Sequence, residues 1–84
     1  MFKIADLVIS KKGRDSERVF MVIEVSDENY VLIADGSLRK LLKPKRKKIK
    51  HLEYYGTADT EPAGKITDAA LRKMIRNKIA AKEN

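Results

Sequence analysis

Val19-Phe20-Met21-Val22-Ile23-Glu24-Val25, then Ser26-Asp27-Glu28-Asn29, then Tyr30-Val31-Leu32-Ile33-Ala34 is the stretch on which the fold turns. Its first run is rich in β-branched and aromatic residues, too short for a typical helix and bounded by polar clusters, which specifies a strand. The last run has the same character, and the four polar residues between them suit an antiparallel hairpin. Val19, Met21, Ile23 and Val25 on one side, with Phe20 and Val22 on the other, make the first strand apolar on both faces. Something must therefore pack on its second face.

Working outward, Leu7-Val8-Ile9 reads as an earlier short strand, followed by a polar loop from Ser10 to Glu17 that is too long for a tight turn. Gly13 marks a place in that loop for unusual backbone angles. On the other side, Asp35-Gly36 is the dipeptide that two-residue hairpin turns favour, so a fourth strand is expected over Leu38–Leu42. Pro44 has no amide hydrogen for a sheet ladder, which ends that strand before it and leaves Lys47–Leu52 for a fifth. The fold class is mainly β, a small five-stranded barrel. Residues 56–64 (GTADTEPAG) lack periodicity and combine Gly, Thr, Asp and Pro, so they mark a linker. The expected organisation is a barrel over 1–55, a linker over 56–66 and a helix over 67–82.

In the last segment Leu71, Met74, Ile75 and Ile79 recur at helical spacing, with Arg72, Lys73, Arg76, Lys78 and Lys82 on the other faces. Thr67 suits the N-cap, Asp68 the positive end of the helix dipole, and Ile66 with Leu71 a hydrophobic staple. The apolar stripe has two uses: packing on the second face of the Val19–Val25 strand, which is preferred, or binding a protein partner.

Eighty-four residues make one compact domain. With 43% apolar and 37% charged residues the chain has enough Val, Ile and Leu to fold beneath a heavily solvated surface. Cysteine is absent, so neither disulfides nor zinc thiolates contribute, and a cytoplasmic setting is favoured. Lys3 and Asp6 interrupt the apolar N-terminal stretch, and neither a signal peptide nor a membrane span is read.

The formal charge is +7, and its distribution is uneven: −2 over residues 1–36, +8 over 37–52 and +1 over 53–84. From Arg39 to Lys50, eight of twelve residues (Arg39, Lys40, Lys43, Lys45, Arg46, Lys47, Lys48 and Lys50) are cationic and none is anionic. Like charges packed this closely repel, and interspersed acids would relieve them, so their absence implies that a polyanion supplies the neutralisation. A phosphate backbone is the obvious source. Two plainer readings stand beside it: lysines on a sheet edge that block unwanted pairing, and a nuclear address label at residues 44–48. Lys11, Lys12, Arg14 and Arg18, in and beside the first loop, are candidates to join the run in a folded barrel, diluted by Asp15 and Glu17.

Tyr54 and Tyr55 come directly after the run and are candidates for stacking on unpaired bases, although two tyrosines ending a strand are more often core or rim. His51 has no Cys or acidic cluster at metal-ligand spacing, which leaves it as a structural residue or an RNA contact. Ser10, Ser16, Ser26 and Ser37 lack an identifiable base, and the glycines are too scattered to cradle phosphate. No enzyme, cofactor, metal or small-molecule substrate is expected.

Residues 13–25 (GRDSERVFMVIEV), 31–36 (VLIADG) and 47–52 (KKIKHL) together resemble the KOW-domain RNA-binding proteins. The family of archaeal and eukaryotic large-subunit ribosomal protein fourteen is similar, and short bacterial KOW-domain proteins more so. The resemblance covers roughly residues 4–53 and leaves the helix outside. It implies an SH3-like barrel, an RNA ligand and association with ribosomes or ribosomal RNA, with the loop at Gly13, beside Lys11, Lys12 and Arg14, approaching that RNA. Ser16 and Glu17 stand where such motifs often carry a second glycine. A protein-interaction module of the transcription or translation machinery is the competing expectation, since SH3-like barrels serve that role too.

Overall fold

A computed structural model describes residues 1–11, 18–58 and 66–83. Five strands, β1 (Asp6–Ser10), β2 (Val19–Val25), β3 (Tyr30–Ala34), β4 (Lys45–Lys48) and β5 (Leu52–Thr57), precede one helix, α1 (Asp68–Glu83). The strands form one sheet in the order β4-β3-β2-β1-β5, every neighbouring pair antiparallel. Register shifts between Leu7 and Val8 and between Val22 and Glu24 bend the strands, and bulges of this kind curl a sheet. The result is a mainly β, SH3-like barrel form with a C-terminal helix.

The alternation along β2 builds two apolar layers. Phe20 and Val22 join Val8, Val31, Ile33 and Leu52 in the barrel interior. Met21 turns the other way and meets Leu7, Ala34, Leu71 and Ile75, with Val19 and Ile23 packed against them. The helix thus covers the second face that β2 requires, and its stripe is used within the molecule. Its start matches the sequence: the Thr67 hydroxyl accepts from the Ala70 amide at 3.0 Å, and Ile66 packs in the same layer as Leu71.

The segment after β3 departs from expectation. Residues 38–42 form no strand, and Asp35-Gly36 makes no two-residue hairpin turn. That turn needs positive φ at both positions, whereas Gly36 alone of the two has it, at 80°. The Asp35 carboxylate instead captures the backbone ahead of it, accepting from the amides of Ser37 (3.0 Å) and Arg39 (2.8 Å) and from the Arg18 guanidinium (2.9 Å). The amides of Asp35 and Gly36 both donate to the Arg39 carbonyl. The helix start holds the other side: Leu41 N–H donates to the Asp68 carboxylate at 2.8 Å and Arg72 to the Gly36 carbonyl at 2.5 Å.

Pro44 therefore precedes a strand. The fourth strand is the basic tetrapeptide Lys45–Lys48, a short helical turn spans Ile49–His51, and the fifth strand begins at Leu52, where the sequence placed its end. β5 continues through Gly56 and Thr57, residues expected in the linker.

This packing can be checked at three residues. Leu71, fully buried between sheet and helix, is expected on replacement by Ala to cost about 2–5 kcal/mol in urea unfolding; an unchanged midpoint would show that the stripe is not packed. A Cβ on Gly36 would lie 2.4 Å from the Asp68 carbonyl oxygen, so Gly36→Ala should lose at least about 1–2 kcal/mol from the left-handed backbone alone. Burial raises the pKa of Asp35, but the hydrogen bonds from Arg39, Arg18 and Ser37 outweigh it and hold the carboxyl below its ordinary value. Its contribution to stability is then present above about pH 4 and disappears as pH falls through the lower folded value. The melting temperature of the wild type should drop more steeply below pH 4 than that of Asp35→Asn, and parallel curves would contradict this role.

Candidate nucleic-acid interface

β4 is an edge strand, paired on one side to β3 through Tyr30–Lys48, Val31–Lys47, Leu32–Arg46 and Ile33–Lys45. Directly opposed residues share a face of the sheet. Lys45 and Lys47 accordingly lie on the side of the interior residues Ile33 and Val31 and are half-buried. Arg46 and Lys48 stand on the opposite face and are exposed.

Tyr30 lies among these cations. The Arg46 guanidinium sits 3.6 Å from the centre of its ring and the Lys48 ammonium 6.0 Å away. Asp27 orients the outer end of Arg46 through a 3.5 Å ion pair, while its other carboxylate oxygen accepts from the amides of Asn29 and Tyr30. Composition and spacing carry no sign of this stack, because only the β3–β4 register shows that Tyr30 falls opposite Lys48.

Lys40 and Lys43 are exposed on the loop that Asp35, Asp68 and Arg72 hold, beside the half-buried Arg39. Lys50 is exposed on the helical turn, and the carbonyl of His51 accepts from the Lys11 amide at 2.8 Å, which brings Lys11 to that end of the basic segment. Arg18 meets the start of the run through Asp35, whose carboxylate also accepts from the Arg39 amide. Its pair with Asp35 directs it to a groove of about 390 Å³ that also includes Arg72 and Arg76 of the helix. Lys12, Gly13 and Arg14 lie outside the described residues.

The two tyrosines after the run differ. Tyr55 packs in the layer under the helix, its carbonyl accepting from Lys82, whose ammonium lies 4.1 Å from the ring centre. Tyr54 is 56% exposed, with its hydroxyl 2.6 Å from that of Thr57, which donates to Asp6.

Three acids beside the run have structural tasks: Asp35 holds the loop, Asp68 binds the Leu41 amide and Asp27 caps the β2–β3 connection, whereas Glu28 lies beside Lys48 and Lys50. The segment 37–52 contains no carboxylate of its own. Among the described residues no group of His, Cys, Asp and Glu could hold a metal ion, and no helix is long and apolar enough to cross a membrane. The surface offers a set of cations fixed on an edge strand and its two flanking turns, with one aromatic ring set among them.

No family model matches the chain. It is 30% identical to the large ribosomal subunit protein eL14 of Pyrobaculum arsenaticum, over 98% of this chain and 90% of that protein. The protein of the same description from Pyrobaculum aerophilum is also 30% identical, over 94% and 87% of the two chains, and that from Hyperthermus butylicus is 25% identical over 92% and 87%. These alignments extend through the helix as well as the barrel, and they place the chain in the family of large ribosomal subunit protein eL14.

Proposed function

We propose that the protein is a non-enzymatic RNA-binding component or partner of the ribosome, and that its ligand is ribosomal RNA. The observation that carries this reading is the edge strand Lys45–Lys48, flanked by Lys40, Lys43 and Lys50, in a segment without an acid. On an edge strand, residues two apart lie about 6.6–6.8 Å from one another, so Arg46 and Lys48 hold a fixed spacing rather than that of a flexible tail. Fixed cations select a shaped phosphate surface, and phosphate contacts set position and affinity without reading base edges. Relatives named for the large ribosomal subunit support the ribosomal source of the RNA. The same reading puts the protein in the cytoplasm with the translation machinery.

Lys11, Arg39, Lys40, Lys43, Lys45, Arg46, Lys47, Lys48, Lys50 and His51 are the proposed contacts in the described residues, together with Lys12, Gly13 and Arg14 of the first loop. Arg18 belongs to the set only if the RNA also reaches the groove beside the helix. A protein-interaction role keeps one observation in its favour: Leu42 is 94% exposed and Leu38 51% exposed on the loop beside the basic strand. RNase treatment separates the two, since ribosome co-purification through RNA collapses and that through a protein contact survives.

If about six cations meet phosphates, the logarithm of the binding constant should fall against the logarithm of salt concentration with a slope of roughly −4 to −5. Lys48→Gln and Lys50→Gln should each lower the slope by about one and weaken different RNA sequences equally. Fluorescence anisotropy across a salt series measures both. A slope near zero excludes the phosphate mechanism.

A further inference from the structure

The connection between β2 and β3 and the helical turn after β4 face each other across a cleft of about 530 Å³, lined by Glu28, Asn29, Tyr30, Lys48, Ile49 and Lys50. We infer that this cleft takes a single unpaired nucleotide of the bound RNA, stacked against Tyr30; the inference rests on the RNA-binding reading and gives that surface its one point of contact with a base.

Both walls are fixed before any ligand arrives. The Asp27 carboxylate accepts from the Asn29 amide at 2.8 Å and the Tyr30 amide at 3.0 Å, closing the connection into a rigid turn. The Ile49 amide donates to the Asn29 carbonyl at 2.9 Å, tying that turn to the opposite wall. The Tyr30 ring is restricted as well, being half-buried and covered on one side by Arg46 at 3.6 Å. An aromatic ring restricted in this way loses less freedom when a base stacks on it.

The lining has the chemistry of a nucleotide. Tyr30 and Ile49 offer aromatic and aliphatic surface to a base, whose flat face stacks on such rings whatever its identity. The exposed ammonium groups of Lys48 and Lys50 stand where the flanking phosphates of an extruded nucleotide would be neutralised. The Asn29 side-chain amide carries both a donor and an acceptor for a base edge. Glu28 only accepts, so it disfavours a phosphate on its side and favours a base with an exocyclic amino group. A duplex has no unstacked base to give, and the cleft therefore distinguishes bulged or looped RNA from a continuous helix.

The test uses the full chain and two RNA hairpins, one with a single bulged adenosine and one fully paired, titrated by fluorescence anisotropy at constant salt. The wild type should bind the bulged hairpin about 5- to 150-fold more tightly, the range that one base–aromatic stack supplies. Tyr30→Leu should bring the ratio close to one. Because Tyr30 is half-buried, a second readout is independent of that variant: 2-aminopurine at the bulge should lose fluorescence when the wild-type protein binds, and keep more of it with Asn29→Ala. Equal affinity of the wild type for the two hairpins, or undiminished 2-aminopurine fluorescence in its complex, overturns the cleft while leaving the phosphate mechanism standing. Binding to neither hairpin removes both.

Discussion

Strand β2 is buried on both sides, and the remaining elements are arranged around that fact. Phe20 and Val22 fill the barrel interior while Met21 faces Leu71 and Ile75 of the helix. A slip of one residue would exchange these two sets, moving the aromatic ring under the helix and Met21 into the barrel, so register is strongly specified. The helix is needed for the same reason. Without Leu71 and Ile75 over them, Leu7, Met21 and Ala34 would form an open apolar face on a chain of only 84 residues. In a small domain, where folding buries a limited share of the surface, this second layer enlarges the core.

The placement of the charges depends on where the helix starts. Its first turn delivers Asp68 and Arg72 to the chain after β3, where they bind the Leu41 amide and the Gly36 carbonyl. Asp35 grips the same loop from the sheet side through Ser37 and Arg39. Held at both ends, the loop delivers Pro44 to the sheet edge, and the next four residues, all cations, become the edge strand. Exposed lysines on an edge also oppose pairing with another sheet. Protection of the edge and presentation of cations are thus met by one strand, and the plainer reading of these lysines is compatible with the functional one.

Much of this is legible in the residues. Apolar composition locates β1, β2 and β3, the two-sided pattern of Val19–Val25 requires a cover, and helical spacing with a Thr67 cap supplies it. Those signals are local, and nothing distant overrides them. The stretch from Asp35 to Leu52 misleads because its structure depends on distant partners. Asp-Gly ordinarily turns a hairpin, but here the carboxylate of Asp35 is committed to Arg18 and to amides ahead of it, and residues of the helix hold the loop beyond. Lys45–Lys48 has no β-branched or aromatic residue to announce a strand; it is extended because β3 offers an unpaired edge beside it. The place of Tyr30 among the cations is hidden for a related reason, since it depends on which residue of β3 opposes which residue of β4.

The basic run and the C-terminal helix look like separate parts in the sequence, one within the KOW-like region and one outside it. Their contacts make them one unit. Arg39, Lys40 and Lys43 sit on a loop whose path depends on Asp68 and Arg72, so the helix sets the position of cations it does not carry. Gly36 is part of that coupling, for its left-handed backbone lets the chain pass within 2.4 Å, measured from where a Cβ would be, of the Asp68 carbonyl oxygen. The alignments to the archaeal eL14 proteins likewise extend past the barrel into the helix. Cations on a flexible chain bind phosphate at any spacing, whereas cations on a loop and strand fixed by a packed helix bind best where the phosphates match. The helix thereby turns a run of charge into a surface with a shape.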